Sequence, residues 1–559
     1  MSSNKTWIVG LLVLASNAFA QGADPVDLGG VTETHEMIPM RDGVKLSAFI
    51  YTPPGSGPWP VLLEQRYANG NDPGTQKSFA KLARGGYVTI LANFRGSQQS
   101  EGIWRGYRHL AWGEQQDGYD LVEWLAKQPW STGKVGTFGS SQAGFAQNFL
   151  AVTQPPHLVA QYMIDTGLSL YHEGYRIGGI TRPERFKSMD KVARVPEHNR
   201  ELLAEWFQHP TADSYWAAED CTRYFDKMNV PCFTVGSWYD FMCVGSVDSY
   251  VGRQHRGGPN SIGTQQLMIG PWLHGRFKET NKSNEMEYPE NAKFAMDAHM
   301  LRWFDHYLKG VDNGVTNEPT VRYYVMGAIG ETDAPGNVWR TATDWPIAAK
   351  PTPYYLHADK SLRSKPSESP DDTVTWLADP QRPAPIPTIA FPGAKDARDY
   401  ESHPEVRTFT TDVLTEPIEW TGKVQAELYV SSDARDTDFI VRVSDVYPDG
   451  RSILIMDYIR RARYREGFER EVFMKPNEVC KVAFDVGWLS QNFNRGHRIR
   501  VTIASTGAPF YEPNPNTGEP LTIDFPESTV VARNTIYLNQ QNASRVLVPV
   551  VTTTTDVAK

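Results

Sequence analysis

The sequence predicts an α/β protein extended by an all-β domain. It reads as a mostly parallel sheet covered by helices and interrupted by a helical insertion, followed by an antiparallel β-sandwich. Three observations carry this. Between residues 36 and 160 short apolar runs alternate with amphipathic stretches, as in a parallel sheet whose crossovers are helices. Between 166 and 229 the alternation stops and Arg, Glu, His and aromatic residues dominate. Beyond about residue 340, segments with period-two alternation are separated by turn residues, the pattern of antiparallel strands.

The elements follow in order. Lys5 is the only charge in the first twenty residues. The apolar run 7–15 comes next, and Ala18-Phe19-Ala20 closes the segment. A charged start, a short apolar run and a small-residue site describe a secretory signal peptide, and the run is too short to span a bilayer. The expectation is cleavage after Ala20 and a periplasmic or secreted protein with no membrane contact thereafter. Asp42-Gly43 lies between alternating segments and predicts a hairpin. Residues 61–63, 87–91 and 134–138 read as buried strands. Residues 119–126 read as a helix with Leu121, Val122, Trp124 and Leu125 turned inward, and 145–152 as another. Residues 166–229 read as an inserted helical cap, including a helical stretch over 201–208. Strands resume at 232–235 and 267–269. A long helix then carries Phe294, Ala298, Leu301 and Leu308 on one face and stops at Gly310. Residues 365–392 are rich in Pro, Ser and Asp and read as a long irregular connection. Residues 424–430, 439–446 and 498–503 alternate as strands of a jelly roll. The predicted division is therefore a signal peptide over 1–20, an α/β domain over 21–165 and 230–344, a cap over 166–229 and a β-sandwich over 345–559.

Composition excludes several functions. The chain has 559 residues and a formal charge of −9, so no basic field recruits nucleic acid. Four cysteines in this length do not form a disulfide scaffold, and they lack the CxxC spacing of a zinc site. Cys221, Cys232 and Cys243 are close in sequence and Cys480 is remote, so sequence leaves any pairing open.

The chemistry is concentrated at Gly139-Ser140-Ser141-Gln142-Ala143-Gly144, between an apolar strand and a helix. A nucleophile elbow needs small residues around its serine because strand and helix approach closely at a strained turn, which lifts Oγ above the sheet edge. Ala143 stands at the usual final glycine position, with Gly144 next. Ser141 is at the apex; Ser140 should point away. A serine needs a base and the base an orienting acid. Two later strands end in suitable residues: 232–235 runs into Asp240, and 267–269 into His274. This is the Ser, Asp, His order of the α/β-hydrolase fold, on loops past strand C-termini where ligands bind. The backbone amide of Gln142 is one oxyanion donor by position. The second must come from the loop after strand 61–63, where Tyr67 offers a hydroxyl.

With these residues in place the chain resembles the cocaine esterase and Xaa-Pro dipeptidyl-peptidase-like (CocE/NonD) hydrolases, a family that includes α-amino acid ester hydrolases. The markers run through most of the chain. They are residues 40–46, Arg66-Tyr67, Phe94-Arg95-Gly96 with Ser100-Glu101-Gly102, Gly139-Ser140-Ser141, Trp238-Tyr239-Asp240, Gly270-Pro271-Trp272-Leu273-His274, Asp436-Thr437-Asp438-Phe439, Pro448-Asp449-Gly450-Arg451, residues 461–465 and residues 496–501. The resemblance implies an α/β-hydrolase domain with an inserted helical cap and a C-terminal jelly roll. It also implies a Ser141–Asp240–His274 triad with Tyr67 and the Gln142 amide as oxyanion donors.

Departures bear on the substrate. Gln142 replaces the family's usual aromatic residue after the nucleophile. The residues following the triad aspartate, Phe241-Met242-Cys243, carry no carboxylate to bind a substrate ammonium. Ester hydrolysis therefore ranks above amino-acyl chemistry, with acylase or Xaa-Pro dipeptidyl-peptidase activity on amides as the alternative. A noncatalytic carbohydrate-binding role for the jelly roll is the third reading. Asp165, His172 and Glu173 near the start of the cap are candidates to line the pocket. Arg95 reads as structural, and the run 460–465 as a solvated face bridging to the first domain. The expected partner is a small ester or amide; no metal or cofactor is implied, and homo-oligomerisation stays open.

Overall fold

The computed structural model describes residues 26–111, 113–182, 188–275, 278–332, 334–386 and 393–551. The predicted signal peptide lies outside them. Ten strands build the first sheet: β1 (Thr32–Pro39), β2 (Lys45–Thr52), β3 (Trp59–Arg66), β4 (Val88–Asn93), β5 (Ser131–Ser140), β6 (Leu158–Ile164), β9 (Cys232–Ser237), β10 (Gln265–Gly270), β13 (Val321–Val325) and β14 (Val338–Ala342). Their order is β1-β2-β4-β3-β5-β6-β9-β10-β13-β14. From β4 to β13 every neighbouring pair is parallel; β1, β2 and β14 add antiparallel edges. The Asp42-Gly43 hairpin joins β1 and β2 as predicted.

The parallel strands are buried along nearly their whole length, as a sheet covered on both faces requires. Helices α1 (Pro73–Ala83), α2 (Asp117–Ala126), α3 (Gln142–Thr153), α5 (Cys243–Arg256) and α6 (Met296–Lys309) cover it. In α2, Leu121, Val122 and Leu125 are buried, but Trp124 is only half-buried. Helix α6 stops at Gly310 in the left-handed conformation, as expected. Its buried face is Met296, His299, Met300, Trp303, Phe304 and Leu308, however, and Ala298 is exposed. Burying an indole and a phenyl ring removes far more apolar surface from water than burying Ala298, so those rings set the helix's rotation.

Between β6 and β9 lies the cap. Its described residues are less helical than expected. Among its described residues the long regular helix is α4 (Pro196–Gln208), and around it are a single π-helical turn over Leu170–Gly174, short 3-10 turns and a two-residue hairpin, β7 (Arg176–Ile177) and β8 (Ile180–Thr181). A second small hairpin, β11 (Lys282–Ser283) and β12 (Met286–Glu287), follows β10.

The C-terminal part consists of two antiparallel sheets. One contains β15 (Lys350–Leu356), β16 (Leu362–Arg363), β17 (Thr373–Ala378), β19 (Ile418–Ser432), β22 (Cys480–Phe493), β24 (Ala532–Tyr537) and β25 (Arg545–Val550). The other contains β18 (Arg407–Thr410), β20 (Asp438–Val446), β21 (Ser452–Arg461) and β23 (Arg498–Ala504). Val424 and Leu428 of the first sheet share a core with Val441, Val443 and Val501 of the second. The stretch expected to be irregular contains β17, which pairs with β24 over its full length; residues 387–392 of that stretch lie outside the described residues.

One further expectation is corrected. The basic run 460–465, which begins at the end of β21, is not a solvated face. Arg461 and Arg463 are buried and paired with Asp438 and Asp436, at 2.9 and 2.7 Å, because the strand end turns into the domain beneath the cap. The four cysteines are unpaired thiols. Arg95 has the structural place expected of it, bonded through its guanidinium to Asp42 and the fully buried Asp117.

Candidate active site

Four adjacent strands, β5, β6, β9 and β10, end at one rim of the sheet. Ser141 follows β5. Its φ of +59° and ψ of −116° belong to a conformation that a non-glycine residue holds only when its surroundings fix it. Two close approaches do so here. A Cβ on Gly139 would lie 2.6 Å from both the Ala143 Cβ and a Glu64 carboxylate oxygen, and one on Gly144 would lie 2.7 Å from the Thr166 Cβ. The glycines admit the helix to the strand, and Ala143 is small enough to pack against the first of them. Ser140 remains in the strand, in register with Ile164.

Asp240 lies just past β9 with its side chain fully buried. Its Oδ1 is 2.9 Å from Nδ1 of His274, which follows β10 and retains 14% side-chain exposure. The Phe241 ring stacks on the imidazole, with centroids 5.0 Å apart. Burial lowers the proton affinity of His274, but the hydrogen-bonded Asp240 carboxylate outweighs it and leaves the pKa above the ordinary histidine value. Ser141 reaches the same cluster through Asp165, whose carbonyl accepts from the Ser141 amide at 3.2 Å and whose carboxylate accepts from the Gly275 amide, next to His274, at 2.7 Å.

Tyr67 and Gln142 are also brought together. The Gln142 side-chain oxygen accepts from the Tyr67 backbone amide at 3.0 Å, and the Tyr67 carbonyl accepts from the Gln98 side chain at 3.3 Å. The Tyr67 ring packs edge-on against Phe94, Trp104 and Tyr107. Gln142 is the first residue of α3, so its amide is among those a helix start leaves without an intrahelical acceptor. Such amides favour negative charge. The glutamine in place of an aromatic residue thus clamps the neighbouring loop.

Two family profiles match. One, described as the X-Pro dipeptidyl-peptidase (S15 family), covers residues 42–201 and 187–276. The other, the X-Pro dipeptidyl-peptidase C-terminal non-catalytic domain, covers 313–547. The chain belongs to the CocE/NonD, Xaa-Pro dipeptidyl-peptidase S15 family of serine hydrolases. Within this family it is 29% identical to the cocaine esterase of Rhodococcus sp., over 92% of this chain and 98% of that one. In fold it is similar to an α-amino acid ester hydrolase, with a TM-score of 0.83 and 23% identity over 97% of this chain and 100% of that one. An aminopeptidase from a marine sediment Thaumarchaeota archaeon gives a TM-score of 0.83 at 22% identity, with the same coverage.

Beside the S15 residues is a cavity of about 310 Å³ between the hydrolase domain, the cap and the β domain. Asp240 and Phe241 form part of its wall. Ile177, Val244, Met456 and Trp488 make it largely apolar, while Glu173, Asp248 and Asp457 add carboxylates. Of the three cap-entrance candidates, His172 and Glu173 line it and Asp165 does not. Asp165 is turned into the rim, where its carboxylate meets Ser237 Oγ at 2.8 Å and the Lys278 ammonium at 2.6 Å. Among the described residues, Asp165, Asp240 and His274 are the one set with donor atoms close enough for a metal ion, all within 4.8 Å. Those donors fit one poorly: Nδ1 of His274 is committed to Asp240, and a lysine ammonium already lies against Asp165.

Sequence reasoning missed Lys278, Ser237 and Gln98. Nothing in their spacing marks them, although each lies beside a recognisable segment: Gln98 follows Phe94-Arg95-Gly96, Ser237 precedes Trp238-Tyr239-Asp240, and Lys278 follows His274 by four residues.

Proposed function

We propose that the protein is an exported serine hydrolase that cleaves carboxylic esters through an acyl-enzyme on Ser141. One observation carries this reading: the 2.9 Å bond between Asp240 Oδ1 and His274 Nδ1 commits that nitrogen as a donor and leaves Nε2 as the base. His274 Nε2 takes the Ser141 proton as Oγ attacks the acyl carbon. The oxyanion is held by the Gln142 amide and the Tyr67 hydroxyl. The imidazolium, stabilised by Asp240, returns its proton to the departing alcohol. Water then attacks the acyl-enzyme, giving its proton to His274, and the acid leaves as Ser141 Oγ is reprotonated. Full-length likeness to a cocaine esterase supports ester over amide chemistry. Export rests on the pattern of residues 5–20.

A second reading has its own observation. Amino-acyl substrates need a counter-ion, and the segment after Asp240 lacks one. The cavity, however, contains Glu173; burial pushes its carboxyl up to about 8, so it is protonated at neutral pH and becomes a counter-ion only when a bound ammonium stabilises its charge. A panel of a p-nitrophenyl acyl ester, an amino acid ester and an Xaa-Pro amide separates the readings. The proposal expects the acyl ester to be turned over fastest, and Ser141→Ala to abolish that turnover in a folded protein. Preference for the amino acid ester, lost in Glu173→Gln, would favour the second reading. Full ester turnover by Ser141→Ala would overturn both.

A further inference from the structure

Two buried charged groups at the rim, Asp165 and Lys278, touch every segment that carries the triad. Asp165 is fully buried and follows β6, the strand between the nucleophile strand and the acid strand. Its φ of +46° turns the chain at that point, a conformation that aspartate and asparagine adopt more readily than most residues. Its carbonyl accepts from the Ser141 amide. Its carboxylate takes the Ser237 hydroxyl at the end of β9 and the amide of Gly275. The Lys278 ammonium, also fully buried, bonds Asp165, Ser237 and the carbonyl of Leu273 at 2.9 Å. The residues on both sides of His274 are therefore tied to this pair.

Stability alone does not account for such an arrangement, since a fully buried ion pair is commonly no more stabilising than apolar side chains of similar volume. Its position suggests another role. An unneutralised carboxylate this close to His274 would add to the pull of Asp240 on the imidazolium proton. The lysine opposes that pull.

We propose that Asp165 and Lys278 are a positioning pair for His274: the carboxylate fixes the loop that carries the imidazole, and the ammonium cancels the charge the carboxylate brings. This rests on the triad reading above. The charged groups facing His274 are Asp240 and Asp165, which favour its protonated form, and Lys278, which opposes it.

The test is the pH profile of kcat/KM for a p-nitrophenyl ester, measured on the full chain. Asp165→Asn keeps the backbone preference and most hydrogen-bonding capacity but loses the charge. Its acid limb is expected about half a unit or more lower, with kcat reduced about tenfold or more and KM nearly unchanged. Lys278→Met is expected to move the limb the opposite way. If either charge variant fails to fold, the double variant Asp165→Asn/Lys278→Met leaves no orphan charge. It is expected to return the limb to the wild-type pH while kcat stays low. Wild-type limbs and kcat in the folded single variants, or wild-type kcat in the double variant, overturn the proposal. Ser141→Ala separates the two levels. If it is inactive while the pair variants behave as wild type, only the positioning pair fails; if it retains turnover, the triad reading itself fails.

Discussion

Ser141 is held in a backbone conformation that costs of order 1–3 kcal/mol, which only an over-determined turn sustains. His274 is held just as firmly, by Asp240 on one side and the Phe241 ring on another. Its raised proton affinity has a direct kinetic consequence. In the proposed mechanism His274 must be neutral to accept the Ser141 proton, so activity is expected to be lost as pH falls through the His274 pKa. The acid limb of kcat/KM is expected above about 6.5, the value of an unperturbed histidine. A pH–rate profile whose limb falls below that value would show that desolvation outweighs Asp240. At this scale the three side chains of the proposed triad were legible because each follows an apolar strand in the required chain order. The role of Asp165 was not. As a charged residue at the entrance to the cap it reads as pocket lining, and only the loop bearing Lys278 turns it inward. Charge tells that a buried carboxylate needs a partner, not which distant loop supplies one.

The elbow is the element on which the site depends. Strand β5 and helix α3 meet so closely that Gly139, at φ +135°, has no room for a side chain. Gly139→Ala is expected to destabilise the protein by about 1–3 kcal/mol through the added Cβ and the positive φ. It should also lower the fraction of molecules that react with a serine-directed phosphonate. Urea unfolding and active-site titration measure the two effects, and a variant with wild-type values in both would show that the turn relaxes freely. Elements with strong periodicity, such as β5 and α3, were readable in sequence. The face of α6 was not, because the stripe read through Ala298 and Leu301, with Phe294 lying just before the helix start, competes with a second one through Met300, Trp303 and Phe304, and the larger rings win the core. Strand β17 was hidden by the Pro-, Ser- and Asp-rich residues around it; its Thr-Val-Thr-Trp alternation acquires meaning only beside β24.

Across the whole molecule the two main parts are not independent beads. Trp238, Tyr250 and Val321 of the first sheet's layer share one apolar cluster with Trp345, Val424 and Leu489 of the β domain. His497, fully buried, bridges Asp445 on β20 at 2.7 Å and Glu331 in the loop after β13 at 2.8 Å. The cap is tied down as well: the Arg461 amide donates to Gly178 in the cap hairpin, and the Tyr464 hydroxyl to Pro210. Sequence separated the domains because their periodicities differ, but it does not show that a wall of the cavity comes from the β domain. That depends on which outer faces meet. The central claim remains one nucleophile at the rim of the first sheet. Reaction with a serine-directed phosphonate, followed by peptide mapping of the adduct, tests it most directly. The account predicts a single stoichiometric adduct on Ser141 with parallel loss of ester turnover; an adduct on another residue, or full turnover after Ser141 is blocked, would contradict it.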